Sequence, residues 1–227
     1  MADSAAMSCS SSLPGSAPQG RPAFAADRAT ATYYERRARE YDEWYEGAGL
    51  FSARDRPGWS EELDRLIEVI RLLPETVTLD VACGTGFLSR HLRGRVVGLD
   101  QSPSMLAIAR DRLAGGRVVL GDALSIGLRS AGFGRVFTGH FYGHLPPGER
   151  AAFLAEARRL APELVIVDSA PRPGTPAEDW QERVLNDGSR HRVYKRYLTG
   201  PQLAGEIGGE PLFDGRWFVA AGRGGGA

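Results

Sequence analysis

From residue 77 onward, short β-branched runs alternate with amphipathic stretches, and this alternation restricts the possible folds more than any other feature. Strands separated by helix-length segments cannot pair as hairpins, so they pair in parallel through crossovers. The runs Val77–Ala82, Arg95–Leu99, Arg117–Leu120, Arg135–Thr138 and Leu164–Val167 read as strands. Gly86–Leu92, Ser102–Leu113 and Gly148–Leu160 read as the helices between them. The second of these helices is well marked, with Ser102 as N-cap, Pro103 at its first position and Gly115-Gly116 beyond its end. A smaller C-terminal part follows, with a Thr199/Gln202 capping box opening a helix over Pro201–Ile207 and a last strand over Arg216–Ala221.

The segment before residue 77 has a different character. Asp27–Tyr45 is helical in pattern and rich in aromatics, and Gly47–Gly58 reads as a loop. In the next helix Trp59, Leu63, Leu66, Ile67 and Ile70 recur at helical spacing until Pro74 stops it. Residues 1–27 hold mostly Ala, Ser, Pro and Gly and bury too little apolar surface to offset ordering, so a disordered tail or a misassigned start is expected there. The organisation expected is one domain over 28–221, made of a helical cap (28–73) and a core (74–221), with 222–227 frayed.

Lysine plus arginine and aspartate plus glutamate each number 28, so no general attraction to nucleic acid or anionic membrane is expected. Two cysteines, Cys9 and Cys83, make no disulfide framework, and no metal-ligand spacing is evident. Neither a secretory signal nor an apolar run of bilayer length is present, which makes the cytoplasm the expected compartment.

The chemistry concentrates around Leu79-Asp80-Val81-Ala82-Cys83-Gly84-Thr85-Gly86-Phe87, where an apolar strand enters a Gly-x-Gly turn. Gly84 and Gly86 permit a close approach of backbone to ligand, and open α/β sheets bind ligands beyond the carboxyl ends of their strands. Asp100 ends the next strand and can accept from the hydroxyls of a ribose. Asp122, within Gly121-Asp122-Ala123, ends the third and can accept from a purine amine.

Taken together, Leu79–Phe87, Val97–Gln101 and Gly121-Asp122-Ala123 resemble the successive motifs of the class I S-adenosylmethionine-dependent methyltransferases. The resemblance runs from about Thr32 to Ala221 and implies a Rossmann-like α/β fold. Its seven-stranded sheet would have the order 3-2-1-4-5-7-6, the last strand antiparallel, with helices on both faces. It further implies that Asp80, Ala82, Gly84, Gly86, Asp100, Gln101, Met105, Asp122, Ala123 and Thr138 serve S-adenosyl-L-methionine. The aromatic N-terminal helix resembles the cap of small-molecule methyltransferases, which makes Tyr33 and Tyr41 candidate cofactor contacts. A nicotinamide-dependent Rossmann enzyme fits less well, because Ser89 stands where that fingerprint expects its third glycine.

Methyl transfer is an in-line displacement that depends chiefly on positioning, with a base needed only for a protonated acceptor. His140 and His144, past the fourth strand, are the candidate catalytic residues. Arg190, Arg192, Lys195 and Arg196 could meet a carboxylate or phosphate, and Asp168 could orient a hydroxyl or amine. The expected partner is a small-molecule acceptor, with no nucleic acid and no membrane. Non-methylating chemistry on the same cofactor and RNA methylation, for which the basic segment Arg183–Arg196 is the only support, stand as alternatives.

Overall fold

The computed structural model describes residues 28–113 and 115–224. The expected tail over 1–27, Cys9 included, and residues 225–227 lie outside them. A seven-stranded sheet forms the centre, ordered β3 (Arg117–Leu120), β2 (Val96–Asp100), β1 (Thr78–Val81), β4 (Arg135–Gly139), β5 (Glu163–Ser169), β9 (Phe218–Arg223) and β8 (Glu210–Asp214). β1 to β5 pair in parallel, and β9 runs antiparallel between β5 and β8. This is the order 3-2-1-4-5-7-6, once the separate hairpin of β6 (Glu178–Val184) and β7 (Arg190–Arg196) is set aside.

Side chains on a strand alternate between faces, and here that alternation sorts the core into two layers. Leu79, Val81, Leu164, Ile166, Val219 and Ala221 pack on one face against α5 (Pro147–Leu160) and α6 (Gly200–Ile207). Val165, Val167, Phe218 and Ala220 pack on the other against α3 (Trp59–Leu72) and α4 (Pro103–Arg112). Every residue of β1 is buried, as a central parallel strand covered on both faces requires. Glu62, buried on α3, accepts from the backbone N–H groups of Arg216, Trp217 and Phe218 and so pins the start of β9.

Four elements differ from the sequence reading. The helix expected over Asp27–Tyr45 is broken into α1 (Arg28–Arg37), one 3₁₀ turn (Ala38–Glu40) and α2 (Glu43–Glu46), which ends on a left-handed Gly47. Gly86–Leu92 forms only a 3₁₀ turn at Ser89–His91, because left-handed Gly86 and Gly94 bracket it and leave room for little more. β8 is the strand that the resemblance implied but no run of residues marked: it is an exposed edge strand with Pro211 and a bulge, so it carries no apolar alternation to read. β9 continues to Arg223, taking in Gly222 and Arg223 from the stretch expected to fray.

No helix among the described residues is long and apolar enough to cross a membrane.

Candidate functional site

The carboxyl ends of β1, β2, β3 and β4 converge on one cavity of about 510 Å³. Ala82 and Gly84 form its floor, Leu99, Asp100, Gln101 and Met105 one wall, and Gly121, Asp122 and Ala123 another. Gly139, His140 and Phe141 close the β4 side, and Tyr34 and Tyr41 reach over from the cap.

Asp100 is fixed before any ligand arrives. Its Oδ2 accepts from Gly84 N at 2.9 Å and its Oδ1 from Ser102 N at 2.9 Å, tying β2 to the glycine turn. A carboxylate oxygen has two lone pairs, so each retains one for a hydroxyl in the cavity. Burial raises its pKa, against the pull of those amides. The turn is sharply bent, with φ of +57° at Ala82 and +53° at Gly84. The Tyr41 ring lies directly over Gly84, where a Cβ would meet its Cε1 at 3.5 Å.

Asp80 sits beneath this floor, buried, with Oδ1 meeting no donor among the described residues. It lines a smaller pocket with Tyr41, Tyr45 and Ala82. Burial, reinforced by the charge of Asp100, pushes its pKa up to about 8.

Two latches hold the cap down. Glu35 on α1 accepts from Ser102 Oγ at 2.5 Å, from Ser104 N at 3.2 Å and from Ser104 Oγ. Asp42, in the bend between the cap's helices, accepts from Thr85 Oγ1 at 2.6 Å and pairs with Arg112 at 2.5 Å.

A second chamber of about 810 Å³ adjoins the first, and Tyr34, Tyr41 and His140 line both. His140 holds a left-handed φ of +56°, uncommon for any residue with a side chain. Its ring packs edge-on against Trp44 at 4.7 Å between centroids, with Nδ1 at 3.3 Å from Ser169 Oγ and 3.9 Å from Asp168. Its Nε2 is buried without a partner among the described residues. Burial drives its pKa down to about 3, with Asp168 opposing and Lys195 and Arg37 assisting. His144 lines only the second chamber, with Nδ1 bonded to the Tyr194 carbonyl at 2.6 Å, and burial lowers its pKa as well.

The structure thus brings together, around the first cavity, Tyr41, Ala82, Gly84, Asp100, Gln101, Met105, Asp122, Ala123 and His140. Four expected contacts lie elsewhere: Asp80, in the smaller pocket beneath the floor, and Tyr33, Gly86 and Thr138. Tyr33 packs on Leu185 and Val193 with its hydroxyl accepting from Arg37, because one step along a helix turns a side chain by about 100°. Its neighbour Tyr34 takes the place over the cavity. Gly86 abuts Leu113 instead of the cavity, and Thr138 is buried, donating to the Val81 carbonyl at 2.7 Å.

The basic segment also divides. Arg190 pairs with Glu182, Arg196 pairs with Glu206 and Arg192 lies over Trp180, so of those four only Lys195 reaches the second chamber. Asp168 is wholly buried, gripped by Lys195 and by the N–H groups of Gly143 and Ser169, so it meets neither chamber. The sequence reading missed Arg37, Arg54, Arg56 and Arg172 on that chamber's wall, since nothing in the sequence marks residues so far apart as neighbours.

Known proteins share this fold. Residues 78–163 match the family described as a methyltransferase domain. A malonyl-[acyl-carrier protein] O-methyltransferase of Serratia marcescens is 35% identical over 56% of this chain and 51% of its own. A demethylmenaquinone methyltransferase of Thermotoga maritima is 31% identical over 47% of this chain and 49% of its own. The matched region therefore spans about half the length of these curated relatives. The solved DhpI–SAH complex superposes with a TM-score of 0.63 at 25% identity, covering 88% of this chain and 97% of that one. With the strand order, the glycine turn and the acidic strand ends all in place, the chain has the class I, Rossmann-like methyltransferase fold, and its residues 78–163 match the methyltransferase domain.

Proposed function

We propose that the protein transfers the methyl group of S-adenosylmethionine to an oxygen, nitrogen or carbon atom of a small-molecule acceptor. One observation carries this reading: Asp100, Asp122 and the left-handed Ala82–Gly84 turn face a single cavity that opens, at His140, onto a second chamber. The residues present suit the cofactor. Asp100 offers its remaining lone pairs to a ribose, Asp122 and Ala123 border the adenine side, and Met105 supplies an apolar wall. Asp80, an acid without a donor at Oδ1, underlies the end suited to a cationic amine. Bound there, S-adenosylmethionine supplies a methyl carbon already activated by its sulfonium.

The chain's own contribution is then orientation and exclusion of water. Tyr34 and Tyr41 roof the cavity, and the two latches on Glu35 and Asp42 keep them there. His140, neutral at ordinary pH, offers its unpartnered Nε2 to an acceptor at the boundary and is a hydrogen-bonding contact more than a proton store. His144, bonded to the hairpin backbone, positions the chamber wall. A small acceptor in the cytoplasm suits a capped pocket whose basic side chains turn inward, and neither nucleic acid nor membrane is part of this reading.

Incubating the protein with labelled cofactor and a panel of small metabolites tests the proposal. A product heavier by one methylene is expected. Cofactor turnover whose product gains no methylene overturns it in favour of the other chemistry, and absence of cofactor binding removes both.

A further inference from the structure

The second chamber has an unusual charge. Arg37, Arg54, Arg56, Arg172, Arg183 and Lys195 all line it, and no aspartate or glutamate does. In a chain whose basic and acidic side chains balance, so many cations around one hollow space form a concentrated positive field. Lys195 is answered from behind by buried Asp168. None of the five guanidinium groups has a carboxylate within ion-pair distance among the described residues. Arg112, Arg135, Arg159 and Arg196, outside the chamber, each do.

The bonds these arginines do make hold them in place without neutralising them. Arg56 donates to the Trp44 carbonyl at 2.8 Å, Arg172 to the Tyr197 hydroxyl at 3.3 Å and Arg183 to Gln181 Oε1 at 2.7 Å. Arg56 also stacks over Trp59 at 3.9 Å and Arg54 over Phe51 at 4.6 Å. Neutral acceptors and ring faces fix the planes of these groups. A guanidinium has five N–H donors, so most remain unspent. Burial and the mutual repulsion of these arginines lower the pKa of both Arg54 and Arg56, as expected for cations gathered without counter-charge.

We propose that this chamber is the acceptor site and that it selects a compact acceptor bearing two or more negative charges on oxygen, either a phosphoryl-type group or a polycarboxylate. Arg172 and Arg183 clamp the anion from the segment after β5 and from the hairpin, with Arg54 and Arg56 at the cap side. The acceptor's reacting end then lies toward His140, where the two chambers meet.

This assignment rests on the methyl-transfer reading, and the test separates the two. The full-length protein is titrated with the cofactor in one calorimetric series. In another it is titrated with inorganic phosphate, pyrophosphate, citrate and, as a singly charged control, acetate. Dianions and trianions are expected to bind, acetate to bind negligibly, and added chloride to weaken binding steeply. The phosphate and citrate series distinguish the two chemical sources. Arg172→Gln and Arg183→Gln are each expected to weaken anion binding about tenfold or more while cofactor affinity stays within about twofold. Retained cofactor binding also shows that the variants fold. No binding of any multivalent anion to the wild type at millimolar concentration overturns the proposal, as does anion affinity unchanged in both variants. Failure of the wild type to bind cofactor sinks the methyl-transfer reading and with it the acceptor role, while the anion series still decides the chamber's charge selectivity.

Discussion

Thr85, in the middle of the glycine turn, donates its hydroxyl to Asp42 Oδ1 at 2.6 Å, across 43 positions of sequence. The bend after α1 makes this possible, since a continuous helix would carry Asp42 away from the turn. The loop proposed to cradle the cofactor and the cap that roofs it are therefore fastened to each other, and lifting of the cap is the motion expected to accompany entry.

Cutting the other latch tests that motion. Glu35→Ala is expected to raise amide exchange across residues 28–46 and to speed cofactor release roughly fivefold, the scale of a partly exposed charged contact. Burial opposes ionisation of Glu35, but the hydrogen bonds from Ser102 and Ser104 outweigh it and hold its pKa below the ordinary value. The latch is thus fully made above the ordinary glutamate pKa and is lost as pH falls through the lowered one. Unchanged exchange and release in the variant would show that the cap is held by its aromatic packing.

Asp100→Ala removes both the proposed ribose acceptor and the tie to Gly84 N. Loss of at least about thirtyfold in cofactor affinity is expected by calorimetry, the equivalent of roughly 2 kcal/mol. Asp100→Asn, which keeps one acceptor oxygen, is expected to fall between.

Asp80 gives a proton signature. Its raised pKa of about 8 leaves the carboxyl protonated in the folded protein at pH 7, while the unfolded chain would be ionised. Its contribution to stability is therefore greatest below the ordinary carboxylate range and declines as pH rises toward about 8. Asp80→Asn, uncharged at every pH, is expected to flatten that decline. A cationic ligand end nearby would expel the proton, so cofactor binding near neutrality should release up to about one proton. Calorimetry in buffers of different protonation enthalpy measures this, and equal release in Asp80→Asn would refute the assignment.

Lys195 and Asp168 form a buried pair in which removal of one partner strands the other. Lys195→Met is expected to destabilise the fold by about 3–5 kcal/mol in denaturant unfolding, and adding Asp168→Asn to restore part of it. Burial resists ionisation of Asp168, yet the Lys195 ammonium keeps its pKa below the ordinary value. That contribution is present above the ordinary carboxylate pKa and is lost as pH falls through the lowered one.

Local signals were legible where physics is local. The β-branched runs located β1, β2, β4 and β5 because both sheet faces are covered there, and Ser102 with Pro103 marked the start of α4. The acidic strand ends Asp100 and Asp122 could be placed at one rim because parallel strands put their carboxyl ends together. Phase and convergence were not legible. Adjacent tyrosines at 33 and 34 look equivalent in sequence, yet only the helix's docking decides which faces the cavity. Arg37, Arg54, Arg56 and Arg172 become neighbours only through tertiary folding, whereas the dense run around Arg190–Arg196 looked more significant than it is.

The β6–β7 hairpin pairs only with itself and lies outside the central sheet. Its ladder shares no strand register with β1 to β5, although Lys195 ties it to Asp168 of β5, and it supplies Arg183 and Lys195 to the chamber. On the proposed reading, acceptor preference becomes adjustable along this ribbon wherever the Lys195–Asp168 anchor is kept, with the cofactor cavity on other elements left alone.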